Sequence, residues 1–189
     1  MKISSTILSF LFCLVCITCS SAAASDEKQA NLKQLKTYNK GGVSFSMPGN
    51  WQMTEDKFGE NDPEFRTITI ETPGSSNVNI YVNPEGSEDD LKEHVNRMIK
   101  WETGSMLNGA KRLKGSITKI NGQGASAVVP GLRNQYVIEN GKVLTRNQDD
   151  FFMYESRKHV VHIWTAAAVD DLPKVQKGFD LVLATLKVK

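Results

Sequence analysis

Short runs in which apolar and polar residues alternate, each closed by a turn signal, constrain this chain more than any other feature. Val43, Phe45 and Met47 alternate with Ser44 and Ser46 and stop at Pro48-Gly49-Asn50, before Trp51. Ile68 and Ile70 fall on one face of residues 66–72, and Val78, Ile80 and Val82 on one face of 77–83, with Pro73-Gly74-Ser75-Ser76 between them. A period of two sends successive side chains to opposite sides of an extended strand. Each run therefore reads as a half-buried strand, and the second and third runs as a hairpin. Residues 114–120, 125–129 and 134–138 are further strand candidates, with Asn121-Gly122 and Asn140-Gly141 as turns. Residues 151–154 and 159–166 flank Glu155-Ser156-Arg157-Lys158, which reads as a four-residue hairpin turn.

Two segments break this period. Ser87 is followed by Glu88, Asp89 and Asp90, a cap with acids over the positive end of a helix dipole, and Leu91, Val95 and Met98 continue at helical spacing toward Gly104, with Trp101 or Glu102 as the next position. Asp170-Asp171-Leu172-Pro173 suits a first helical turn, and Val175, Phe179, Val182 and Leu186 form one stripe behind it. Phe152 and Tyr154 share one strand face while Phe151 and Met153 share the other, with Trp164 on the neighbouring strand, so both faces of this pair require cover. Strands, a helix, more strands and a final helix predict an α+β fold, an antiparallel β-sheet with helices packed on its faces. Phe45, Ile70, Ile80, Val95, Val161, Phe179 and Val182 are its expected core.

The first 24 residues stand apart. Lys2, an apolar stretch over residues 7–18 and Ala22-Ala23-Ala24 form the pattern of a secretory signal peptide, too short to span a bilayer. The expected product starts at Ser25 and is exported, periplasmic or extracellular. Cys13, Cys16 and Cys19 all fall inside this leader, so their spacing is not read as a metal or redox motif. The competing reading is a lipid anchor at Cys19, but Cys16-Ile17-Thr18 lacks the Leu and the small residue such a signal carries. The expected division is a signal peptide over 1–24, a polar segment over 25–40 that serves as a tether or short helix, and a single domain over 41–189. With 189 residues, one core is the natural expectation. The 23 basic and 21 acidic residues nearly cancel, so no electrostatic hold on nucleic acid or an anionic membrane is expected.

The stretch Gly42-Val43-Ser44-Phe45-Ser46-Met47-Pro48-Gly49-Asn50-Trp51 resembles the opening strand of the PsbP-like and DcrB-like superfamily, in which a G-[VI]-x-[FL]-x-x-P-x-x-W pattern precedes a hairpin. The order of elements from Lys40 to Lys189 is similar as well. The resemblance implies an α/β/α sandwich and a group of photosystem-associated lumenal proteins, periplasmic lipoproteins and chaperones of secreted effectors that share no catalytic constellation. It thus implies a non-enzymatic accessory or binding protein that engages a protein partner in the periplasm.

The residues themselves offer little chemistry. His159 and His162 are the candidates for a small hydrolase or metal-dependent enzyme, the alternative function. Residues three apart on a strand point to opposite faces, so they converge on one ion only if the strand is bulged. His94 falls separately, on the predicted helix. The acidic clusters Glu88-Asp89-Asp90, Asp149-Asp150 and Asp170-Asp171 lack EF-hand spacing, and two of them sit where helix starts favour carboxylates. Gly122-Gln123-Gly124 lies between strands and reads as a hairpin rather than a phosphate cradle. No G-x-S-x-G elbow occurs. No catalytic residue, cofactor or metal is assigned. For a partner surface, the charged segment over residues 55–64 reads as a solvated loop, and Trp51, Glu55, Lys57 and Phe58 are the candidate contacts.

Overall fold

A computed structural model of the chain describes residues 29–60, 63–84, 90–106, 109–125, 127–156 and 158–189. The expected leader, its cysteines, and Ser87, Glu88 and Asp89 lie outside the described residues. The elements run β1 (Leu35–Lys40), β2 (Val43–Pro48), β3 (Gln52–Phe58), β4 (Arg66–Glu71), β5 (Asn77–Pro84) and α1 (Leu91–Ser105). They continue with β6 (Lys111–Arg112), β7 (Ser116–Gln123), β8 (Val128–Asn140), β9 (Val143–Glu155), β10 (His159–Ala168), α2 (Leu172–Thr185) and β11 (Lys187–Val188).

Strands β3-β4-β5-β10-β9-β8-β6 lie side by side in that order, β7 pairs with the stretch of β8 next to the one that β6 pairs with, and every pairing is antiparallel. A second, small sheet has the order β1-β2-β11. The small sheet and α2 together cover one face of the large sheet, burying Phe45, Ile70, Ile80, Val161, Phe179 and Val182 in one core. Helix α1 covers part of the other face, where Val95 meets Phe151 and Trp164. All seven residues expected in the core are buried, and the double cover expected for β9 and β10 is present. The expected α+β architecture, an antiparallel sheet with helices packed on its faces, is therefore the observed one.

Several elements differ from the sequence expectation, each for a tertiary reason. The polar segment before Gly41 is not a tether or helix over its whole length: residues 35–40 form β1, paired with β2 through the two-residue turn Gly41-Gly42. Both glycines have positive φ, 54° and 78°, as a type I′ hairpin turn requires. The expected loop at 55–64 is strand β3 as far as Phe58, because β4 supplies an edge on which polar residues can pair. The two candidates at 125–129 and 134–138 are one strand, β8, passing through Pro130 and Gly131. Asn121-Gly122 is inside β7 rather than a turn, and the chain reverses where the Gly124 N–H donates to the Ala127 carbonyl. Gly122 is there because it leaves room: a Cβ would lie 2.3 Å from Leu183 and 2.7 Å from Phe152. The cap of α1 is Asp90, the last of the acids expected there, whose carboxylate accepts from the Glu93 N–H at 2.8 Å.

Candidate functional site

The large sheet ends at β3, and three of the four candidate contacts are on that edge strand. Glu55 and Lys57 pair with Thr69 and Thr67 on the face that α1 shares, while Asp56 and Phe58 pair with Ile68 and Arg66 on the opposite face. A register shift between Met53 and Glu55 marks a bulge, which sets this alternation. Phe58 is 52% exposed. Trp51 differs: it is 0% exposed, with its ring against Phe179, so it is an interior residue and the assignment of Trp51 to a contact surface is corrected. An indole this size closing a strand end is drawn into the core by apolar burial alone. Its carbonyl oxygen accepts from Lys36 Nζ at 2.7 Å, which ties β1 to the start of β3.

Behind the edge, Arg66 is 2% exposed and organises four segments. Its Nε donates to Asp56 Oδ1 at 2.8 Å, its Nη1 donates to the carbonyls of Lys40 and Gly41 at 2.9 and 3.3 Å, and its Nη2 reaches the Tyr38 hydroxyl. The guanidinium carbon also lies 5.0 Å from the centre of the Phe58 ring, a cation–π arrangement that holds the exposed aromatic in place. Burial pushes the Asp56 carboxyl up, but hydrogen bonds from Lys40, Arg66 and Tyr38 outweigh it and hold the group below the usual carboxylate range. Burial, reinforced by the hydrogen bond to Asp56, pushes Tyr38 up to about 12.

The α1-side face of β3–β5 is polar and half-exposed, in contrast to its apolar reverse. A row of side chains crosses it: Lys57 to Glu55 at 2.8 Å, Glu55 to Thr69 at 3.3 Å, Thr69 to Asn79 at 2.9 Å and Asn79 to Asn77 at 2.9 Å. The Lys57 hydrogen bond holds the Glu55 carboxyl low, and Glu55 in turn raises Lys57.

Further along that face, under α1, lie groups that spacing could not bring together. His94 stacks on His162, centroids 4.0 Å apart and planes 6° from parallel. The two were expected to be unrelated; α1 crossing β10 joins them. Asn83 Nδ2 lies 3.1 Å from His162 Nδ1, and Arg97 Nη2 3.2 Å from His94 Nδ1. β10 pairs with both neighbours without a register shift, so His159 remains on the other face from His162. At the far end of α1, the Tyr136 hydroxyl lies 2.5 Å from Glu102 Oε1 and 3.3 Å from Asp149 Oδ1, and Arg112 sits over the Tyr136 ring at 3.4 Å while pairing with Glu102. Burial pushes Asp149 up to about 7, against the lowering pull of Arg112, Tyr136 and Trp164. Nothing in the local sequence around Asp149-Asp150 distinguishes these two acids; strand alternation sends Asp149 under α1 and Asp150 under α2. Among the described residues no group of three or more His, Cys, Asp or Glu side chains is arranged to hold a metal ion.

The chain is similar in structure to cyanobacterial PsbP (CyanoP) of Synechocystis sp. PCC 6803, with a TM-score of 0.52 and 14% identity over 82% of this chain and 92% of that one. It is also similar to a protein of Bacteroides thetaiotaomicron VPI-5482 (TM-score 0.46, 15% identity, 82% and 48% covered). A third likeness is to LpqN of Mycobacterium tuberculosis, described as involved in cell envelope biogenesis (TM-score 0.44, 9% identity, 82% and 91% covered). No protein-family model matches the chain, and no curated protein matches it in sequence. At such low identity the likeness is one of fold, and the fold is that of PsbP.

Proposed function

We propose that this chain is an exported, non-enzymatic accessory protein that engages a protein partner along the β3 edge, through Glu55, Lys57 and Phe58. The single observation carrying this reading is Phe58, an aromatic 52% exposed at the end of an edge strand and held there by the buried Arg66 beneath it. An exposed aromatic with a fixed orientation has little rotamer freedom to lose on contact, which is what makes such residues effective at interfaces. The outer edge of β3 adds backbone donors and acceptors that a partner strand can pair. Trp51 serves this surface from inside, as the buttress at the start of β3. Export rests on the leader pattern of residues 1–24 and the accessory role on the PsbP-like fold.

A photo-crosslinking residue at position 58, in the full chain expressed in its own cell, tests the reading. One defined protein adduct is expected from position 58, absent when the crosslinker is at Ile117 on the opposite side of the sheet and reduced by Glu55→Lys with Lys57→Glu. Equal adducts from both positions, or none, overturn it. Intact mass of the exported product tests the processing: a chain starting at Ser25 is expected, and an acylated chain starting at Cys19 replaces that expectation.

A further inference from the structure

Glu102 ties the last turns of α1 to the sheet. Met98 and Ile99 still pack on the apolar cluster of Val95, Phe151 and Trp164, but among residues 100–105 every residue other than Glu102 is exposed. The Glu102 carboxylate meets the Tyr136 hydroxyl of β8 through Oε1 and pairs with Arg112 of β6 through Oε2. The same hydroxyl lies against Oδ1 of Asp149 on β9, a residue only 1% exposed. The groups thus run in the order carboxyl, phenol, carboxyl, guanidinium.

A phenol hydroxyl has one proton to donate. With both carboxyls ionised, one of its two contacts would set oxygen against oxygen with no proton between them. A proton on Asp149 removes this conflict: Asp149 donates to Tyr136, Tyr136 donates to Glu102, and Glu102 keeps its ion pair with Arg112. The other groups around Asp149 supply no second cation. Asn134 stands opposite it on β8, the Trp164 indole N–H approaches from β10, and Asp150, the next residue of β9, is itself an acid paired with Arg133. Burial keeps the Asp149 proton in place up to about pH 7, whereas a carboxyl uncovered by α1 would lose it near the ordinary 3.8. Between those values the closed helix end holds a proton that the open one gives up. Closure therefore weakens as pH rises toward 7 and changes little above it.

We propose that these groups form a proton-operated latch: a proton on Asp149 holds the last turns of α1 on the sheet, and its loss lets them open. Trp101, 60% exposed, is carried on the same turns, so the surface that α1 presents follows the acidity around the protein. The latch lies toward the opposite end of the sheet from β3 and does not depend on the partner reading.

Amide hydrogen exchange of the 15N-labelled full chain from pH 5 to 8 tests it, with each rate divided by the intrinsic rate at that pH. Protection of the amides of residues 101–103 is expected to fall by about 50-fold between pH 5 and 7 and by less than about threefold more at pH 8. The exchange should be insensitive to low urea, as a local opening is. Asp149→Asn cannot ionise, and its amide can donate to Tyr136 as the protonated acid does, so it is expected to hold the pH 5 level of protection throughout. Tyr136→Phe keeps the ring under Arg112 and removes the relaying hydroxyl, with an expected loss of about tenfold in protection at pH 5. Any one of four results overturns the proposal: equal protection of the parent at pH 5 and 7, the same fall in Asp149→Asn, parent-like protection of Tyr136→Phe at pH 5, or exchange only through urea-sensitive global unfolding.

Discussion

The Trp51 indole lies against the Phe179 ring, centroids 5.6 Å apart and planes tilted by 60°, and the helix makes room for it at the residue before, Gly178. A Cβ at position 178 would lie 2.2 Å from Trp51 Cζ2 and 2.9 Å from Pro48 Cγ. Helix propensity alone favours alanine over glycine by about 1 kcal/mol, but neither the buried indole nor Pro48 can retreat. Gly178→Ala is therefore expected to destabilise the fold by about 1–3 kcal/mol, and Phe179→Ala by about 3–5 kcal/mol. Urea denaturation measures both; a stabilised Gly178→Ala variant would show that Trp51 does not occupy this space.

Asp149 has an inverted pH dependence. Its carboxyl is raised by burial from the ordinary 3.8 to about 7, so between those values the unfolded chain gives up a proton that the folded chain keeps. Stability from this group is thus greatest below about pH 4, falls as pH rises toward 7, and is flat above it. The ceiling is about 4 kcal/mol, at about 1.4 kcal/mol per unit. Asp149→Asn should flatten this window and be the more stable protein at pH 8. Parallel stability curves for parent and variant from pH 4 to 8 would sink the assignment.

Asp56 behaves in the opposite sense. Its folded pKa is depressed, so its contribution is present above the ordinary 3.8 and lost as pH falls through the lower folded value. Arg66→Met leaves that carboxylate, only 11% exposed, without its buried partner and with only the exposed Lys40 as a cation. The expected cost is about 3–5 kcal/mol, most of it recovered when Asp56→Leu is added. A double variant no better than the single would mean that the cost lies in Arg66 packing on Phe58 and Tyr38 rather than in the charge.

His94 and His162 are predicted to be energetically coupled across the α1–β10 contact. In a double-mutant cycle with His94→Ala and His162→Ala, the interaction term should reach about 0.5–3 kcal/mol, as for residues in contact. Additive effects would contradict the stack. The cycle also reports on α1 docking, since Leu91, Val95 and Met98 flank His94 on the same helix face.

Local pattern alone determined the strands that alternate strictly, the 66–71 and 77–84 hairpin, both helices and the apolar stripe of α2. In each, the period of the side chains matches the period of the backbone, and burial rewards only one of the two possible faces. The same alternation correctly separated Phe151 from Phe152 and His159 from His162. Tertiary structure decided the rest. Residues 35–40 and 52–58 are polar and have no pattern of their own; they are strands because β2 and β4 offer edges to pair with. Trp51 could equally have served a surface or a core by composition, and the gap at Gly178, 127 positions later in the chain, made it core. The groups with the most unusual surroundings, the stacked His94 and His162 and Asp149 beneath α1, come from strands and helices distant in sequence. Their surroundings depend on which elements pack together, information that resides in long-range contacts and not in any local window.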